Sequence, residues 1–426
     1  MPFVLTWFPS HESLPDPVDA DIALAETASF WDEWGAHDCS HGEYREAIHE
    51  SLVVLKALTY APTGGIVAAP TTSLPEKIGG VRNWDYRYCW LRDASLTLIA
   101  MLGAGFGDEA LAWREWLLRA VAGDPADIQI MYGVAGERRI EERELEWLPG
   151  FLGSRPVRVG NAASHQLQLD IYGEVLDAAY QTMCYGVARS DDGWAMLRHM
   201  LSWLEDGWRQ EDAGIWEVRG PLRHFTHSKV MAWVAFDRGV RICQEFEREG
   251  PVERWAALRD EIREQVLDRA WNEQKQAFTQ SYGSDSLDAS VLQMPLFGFI
   301  PATDPRFVST VEAIQRELSV GGFLLRYRST EGADGLPPGE GVFLACSFWL
   351  VEVLAMQGRA SEARALFARL LALRNDVGLL SEEYDPHAGR MLGNFPQAFT
   401  HLALVEAAIT ISSDRPMRVP GQRSTL

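Results

Sequence analysis

The sequence predicts an all-α chain, folded as six antiparallel helical hairpins closed into a ring. Three observations predict it. After residue 40 the apolar residues recur mainly at helical spacing, in twelve segments. The connections between these segments alternate between short turns and loops of roughly fifteen to forty residues, and long loops in a compact chain usually carry function. With 426 residues, 47% hydrophobic and 23% charged, the chain can bury one large core.

In order, the expected helices run over 43–61, 93–103, 106–122, 165–185, 191–210, 226–249, 251–270, 287–298, 305–318, 341–357, 361–373 and 396–412. Short turns follow the second, fourth, sixth, eighth and tenth, at Gly103-Ala104-Gly105, around Gly186, at Gly250-Pro251, at 299–304 and at Gly358. Long loops follow the odd-numbered helices. This alternation puts one helix of each hairpin inside the ring and its mate outside. Every long loop then emerges on one face.

The first 40 residues do not share the helical spacing. Residues 2–10, with Phe-Val-Leu-Thr-Trp-Phe, read as a β-strand, and 15–22 as a Pro/Asp-rich linker. A lone strand is unstable without partners, so it either packs on the barrel or belongs to what was once a β-domain. The expected organisation is a β-domain remnant with linker at 1–40, the helical ring at 41–412 and a polar tail at 413–426.

The formal net charge of −21 argues against nucleic acid or an anionic membrane as partner, because both require basic surface. A neutral small molecule is the easier fit. The five cysteines are scattered and form no CxxC pair, which reads as a reduced cytoplasmic chain without disulfides or a zinc site. No apolar run is long enough to span a membrane, and the N-terminus lacks the basic region and cleavage site of a signal peptide. Homo-oligomerisation is left open. Sixteen tryptophans suit a carbohydrate enzyme, since sugar faces stack on indole, although core filling explains most tryptophans equally well.

Three loop clusters carry chemistry. Residues 83–94 mix aromatics with Asp85, Arg87, Arg92 and Asp93 just before a helix. Arg92 and Asp93 could grip neighbouring sugar hydroxyls, one donating and the other accepting; alternatively, Asp93 only caps the helix. In 214–220, Glu217 follows Trp216, and partial desolvation beside the indole raises a carboxyl's pKa as a general acid requires. In 378–385, Glu382 and Glu383 lie in the last long loop, where a base could face that acid. Spacing alone does not single these out among 60 acidic residues.

Taken together, Trp90-x-Arg92-Asp93, Trp216-Glu217 and Ser381-Glu382-x-Tyr384-Asp385 resemble glycoside hydrolase family 15, the glucoamylases, glucodextranases and bacterial trehalases. The resemblance extends from about residue 40 to 412 and implies an (α/α)6 barrel, as the hairpin count does independently. It implies Glu217 as general acid and Glu382 as general base of an inverting hydrolysis. It also implies Arg92, Asp93, Tyr86, Trp90 and Trp216 around the terminal glucose, with Arg326 as a further sugar contact. No cofactor or metal is expected. Two departures stand out. Val218 occupies the place of a second acid found in fungal glucoamylases, which leans away from starch chains. The chain also keeps at most the last strand of the N-terminal β-sandwich of bacterial relatives. The expected reaction is release of glucose from an α-glucoside, trehalose first and malto- or isomalto-oligosaccharides second. The rival readings are an inverting disaccharide phosphorylase and a catalytically inactive sugar-binding barrel.

Overall fold

The computed structural model describes residues 1–40, 42–187, 190–329 and 334–413. Its helices, in chain order, are α1 (Ala20–Gly35), α2 (Arg45–Ala57), α3 (Leu91–Gly103), α4 (Gly107–Ala120), α5 (Asp170–Cys184), α6 (Asp191–Gly207), α7 (Thr226–Glu245), α8 (Val252–Arg269), α9 (Pro305–Leu318), α10 (Leu344–Met356), α11 (Ala360–Leu371) and α12 (Ala398–Ser413).

The apolar pattern decides which helix goes where. In α3 every residue from Leu91 to Gly103 is buried, and α12 is buried from Ala398 to Ile411. A helix apolar on all sides must sit inside. α6 instead buries one stripe, Trp194, Leu197, Met200, Leu201 and Leu204, at the spacing of a single helix face. α9 does the same with Phe307, Val311, Ile314 and Leu318. The inner ring runs α3, α5, α7, a short segment at Ala289–Gln293, α10 and α12, and α12 packs back on α3. α2, α4, α6, α8, α9 and α11 form the outer layer. The expected barrel is therefore the observed one.

The expected helix at 287–298 differs. It is a single 3-10 stretch, Ala289–Gln293, followed by turns. Pro295 has no N–H for a helical bond, and Gly298 takes a left-handed φ of 78°. The segment still fills the fourth inner position, between α7 and α10.

The N-terminal expectations need correction as well. Residues 2–10 form no strand, and Phe3, Leu5 and Trp7 are exposed, because no neighbouring strand offers a ladder. Part of the expected linker is α1, started by the Asp19 carboxylate accepting from the Asp21 and Ile22 amides. Its C-terminal end is anchored by Trp34, which stacks on Phe106 at 4.1 Å and donates to Glu109. The expected tail at 413–426 lies outside the described residues beyond Ser413. Among the described residues no helix is long and apolar enough to cross a membrane.

The inner helices all begin where long loops end, so their N-termini open on one face. A small three-stranded sheet, Val342–Phe343 with Glu383–Asp385 and Arg390–Leu392, pins two of these loops together.

Candidate active site

On that face a cleft opens to solvent, lined by convergent polar and aromatic side chains as small-molecule sites are. Every candidate residue lines it: Tyr86, Trp90, Arg92, Asp93, Trp216, Glu217, Arg326 and Glu382. They come from the loop before α3 and its first turn and from the loops before α7, α10 and α12, which is why the sequence spreads them over some 300 positions.

The loop bearing Glu217 is fixed by four neighbours, Arg92, Asp288, Gln166 and Asp334. Arg92 donates to the Ile215 carbonyl at 3.0 Å. The Trp216 indole donates to both oxygens of Asp288, at 2.9 and 3.0 Å. Gln166 donates to the carbonyls of Glu217 and Val218, and the Arg219 amide donates to the Asp334 carbonyl. Glu217 itself takes a left-handed φ of 56°, a conformation that a non-glycine residue holds only where the surroundings impose it. Gly214, with φ 67°, starts the turn; a Cβ there would meet the Phe225 ring at 2.8 Å.

The Glu217 carboxyl accepts from the Trp90 indole at 2.6 Å and lies 3.6 Å from Arg92. Its side chain is 19% exposed, at the cleft wall. Burial raises its pKa, while Arg92 and Trp90 pull it back down.

Glu382 is 2% exposed. One oxygen accepts from the Tyr86 hydroxyl at 2.7 Å; the other has no hydrogen-bond partner in the protein. Burial and the neighbouring Glu76 push its pKa up to about 8, against the pull of the Tyr86 bond and Arg326. Tyr86 and Trp90 meet edge to face at 5.4 Å, so the aromatic pair that holds the two carboxyls is itself in contact. Gly393 makes the room: a Cβ there would stand 2.6 Å from the Glu382 carboxylate.

Asp93 is in the first turn of α3 and does not cap it; the cap position is Trp90. The carboxyl is buried, and its Oδ2 is ion-paired with Arg92 Nη2 at 3.3 Å. Arg326 lines the cleft, but its Nε and Nη2 are engaged by Glu340 and Glu76 at 2.8–3.1 Å. Its guanidinium is first a counter-ion.

Sequence reasoning missed several lining residues. Trp84 lay inside the 83–94 cluster, yet nothing distinguished it from its aromatic neighbours; the guanidiniums of Arg158 and Arg219 each contact its ring, and it donates to Glu76. Glu76, Asn161, Asp334 and Gln397 carry no local pattern that marks them.

The profile of glycosyl hydrolases family 15 matches residues 42–409. The chain belongs to this family. It is 42% identical over 413 residues to a trehalase of Mycolicibacterium smegmatis, covering 96% of this chain and 62% of that protein. It is 38% identical over 399 residues to a trehalase of Thermoplasma acidophilum, covering 93% and 68%. The chain thus spans about three fifths to two thirds of the length of these relatives. Among solved structures, a bacterial glucoamylase complexed with acarbose superposes with a TM-score of 0.74 at 13% identity, covering 95% of this chain and 61% of that one. A Saccharomycopsis fibuligera glucoamylase superposes at 0.64 and 13% identity, covering 91% and 95%. At such identity these two structures speak for the fold.

In this family 15 chain the carboxylates of Glu76, Glu340 and Glu383 offer oxygens within 4.8 Å of one another. Arg326 and Arg82 already hold Glu76 and Glu340, so the cluster is a charge network under the cleft floor.

Proposed function

We propose that this chain hydrolyses a terminal α-glucosidic bond with inversion, and that trehalose is its substrate. The observation that carries the reading is the pairing of two carboxyls in one cleft with different surroundings. Glu217 is partly exposed and bonded by an indole N–H. Glu382 is buried, bonded by a phenol, and has one oxygen unclaimed by protein. Inverting glycosidases need this division between acid and base.

Glu217 gives its proton to the glycosidic oxygen as the C1–O bond breaks. The Glu382 carboxylate takes a proton from a water that attacks C1 from the opposite side. Arg92 and Asp93 hold hydroxyls of the departing-bond glucose, and Tyr86, Trp90 and Trp216 supply the apolar wall. Water is the nucleophile, so a carboxylate base suffices; a phosphorylase would put phosphate in its place. The relatives named trehalase support trehalose over longer glucans, and Val218 puts an apolar side chain beside the acid.

Proton NMR of trehalose hydrolysis, read before mutarotation, tests this. Inversion at one ring and release of the other predict equal initial α- and β-glucose. Only α-glucose would mean retention and overturn the acid–base assignment. Turnover of maltose but not trehalose would overturn the substrate.

A further inference from the structure

We propose that Glu383 stands protonated in the resting protein, a neutral positioning carboxyl beneath the base that leaves Glu382 to carry the ionisable charge at the cleft. The proposal deepens the reading of Glu382 as base and rests on it for its catalytic consequence, but its core is a statement about the resting chain.

The argument is a balance of buried charge. Glu383 is completely buried on the central strand of the small sheet, one residue from Glu382. The groups that face it come from every neighbouring element: Glu76 from the loop before α3, Arg326 and Glu340 from the loop before α10, the Cys346 thiol on α10, and Glu382 beside it. Arg82 and Asp334 lie one contact further out. The two cations are taken. Arg326 is bonded to Glu340 and Glu76; Arg82 reaches Asp334 at 2.6 Å and Glu340 at 3.3 Å. These two arginines already answer to three carboxylates, Glu76, Glu340 and Asp334, and among the described residues no third cation faces Glu383. A dry carboxylate without a counter-ion is far costlier than its neutral acid.

The hydrogen bonds agree. Oε2 of Glu383 accepts from the Gly341 amide at 2.7 Å, while Oε1 is buried without a partner. Placed on Oε1, a proton turns that orphan atom into a donor, in a cluster where oxygens of Glu76, Glu340 and Glu383 lie within 4.8 Å of one another. Burial and the surrounding carboxylates also hold the Glu383 proton well above the usual carboxylate range. The consequence for the base is direct. Were Glu383 ionised, its charge would add to that of Glu76 and drive Glu382 still further from ionisation.

Two measurements test this. In isotope-edited infrared spectra of the substrate-free protein labelled with [13C]glutamate, the Glu383→Gln variant should lose a carboxylic-acid C=O band that the wild type shows at neutral pH and that Glu382→Gln keeps. Glu383→Met serves the same comparison if the glutamine variant does not fold. An unchanged band would overturn the proposal, and this readout is independent of turnover. In kinetics, Glu383→Gln replaces a neutral group with a neutral one, so the acidic limb of kcat/KM should stay where it is. Glu76→Gln, which removes the carboxyl that pairs with Arg326 and raises Glu382, should move that limb to lower pH by roughly one unit. A limb that moves down in Glu383→Gln by a similar amount would show that Glu383 was ionised, and would sink the idea.

Discussion

The indole N–H of Trp90 donates to the Glu217 carboxyl at 2.6 Å, from the residue that caps the first inner helix to the loop that precedes the third. A donor at this position favours the ionised carboxyl, so it holds down a pKa that burial raises. As an acid Glu217 works protonated, and the alkaline limb of kcat/KM follows its ionisation. Trp90→Phe should therefore move the alkaline limb to higher pH by roughly half a unit or more, and lower kcat about tenfold through loss of orientation. Glu217→Gln should abolish turnover while retaining sugar binding. A limb that stays fixed in Trp90→Phe would refute the role of this bond.

The base predicts the opposite limb. Glu382 works ionised, so the acidic limb follows its protonation, and burial with the neighbouring Glu76 raises it above an ordinary carboxylate. Tyr86 lowers it by donating at 2.7 Å. Tyr86→Phe should shift the acidic limb further up and reduce kcat/KM at neutral pH about tenfold, with less loss at pH ~9. An equal loss at every pH would mean that Tyr86 acts only as a wall.

Asp288 offers a prediction that needs no titration. It accepts from the Trp216 indole twice, from Gln280 at 2.9 Å and from the Ser290 amide at 2.7 Å. Asp288→Ala strips these buried donors of their acceptor, which costs on the order of 1–3 kcal/mol. It also frees the ring next to Glu217. The expected result is a lower melting temperature with a raised KM. Unchanged thermal unfolding would show that the indole finds another acceptor.

The sequence made the barrel legible because inner and outer helices differ in apolar pattern: α3 is apolar all round and α6 along one stripe. It failed at Ala289–Gln293, where burial looks helical while Pro295 and Gly298 break the backbone. It failed at α1, whose exposed surface gave no stripe to read and whose anchor, Trp34 on Phe106, is a tertiary contact. The two carboxyls were visible through family motifs. Glu76, Glu340 and Asp288 were not, since each becomes meaningful only through partners from other loops. Arg326 entered as a sugar contact through the family resemblance alone, and no sequence pattern shows the two counter-ions that hold it.

His401 ties the base loop to acid stability. It is buried on α12, its Nε2 accepting from the Leu380 amide at 3.1 Å and its Nδ1 facing the Ser51 hydroxyl at 3.1 Å. An accepting Nε2 carries no proton, and burial, with Arg374 nearby, lowers the pKa to about 3. The folded pKa lies below the unfolded value of about 6.5. The stability contributed is therefore whole above pH ~6.5 and is lost as pH falls towards 3, because the unfolded chain takes a proton that the folded chain refuses. Over the full window that linkage amounts to roughly 4–5 kcal/mol. Leu380 stands two residues before Glu382, so a protonated His401 would push away the amide that anchors the base loop. His401→Gln keeps an acceptor and cannot titrate. Its unfolding free energy should fall less steeply than the wild type's between pH 6.5 and 4, and it should retain activity after acid exposure that inactivates the wild type. Parallel stability curves would place the acid sensitivity in other groups.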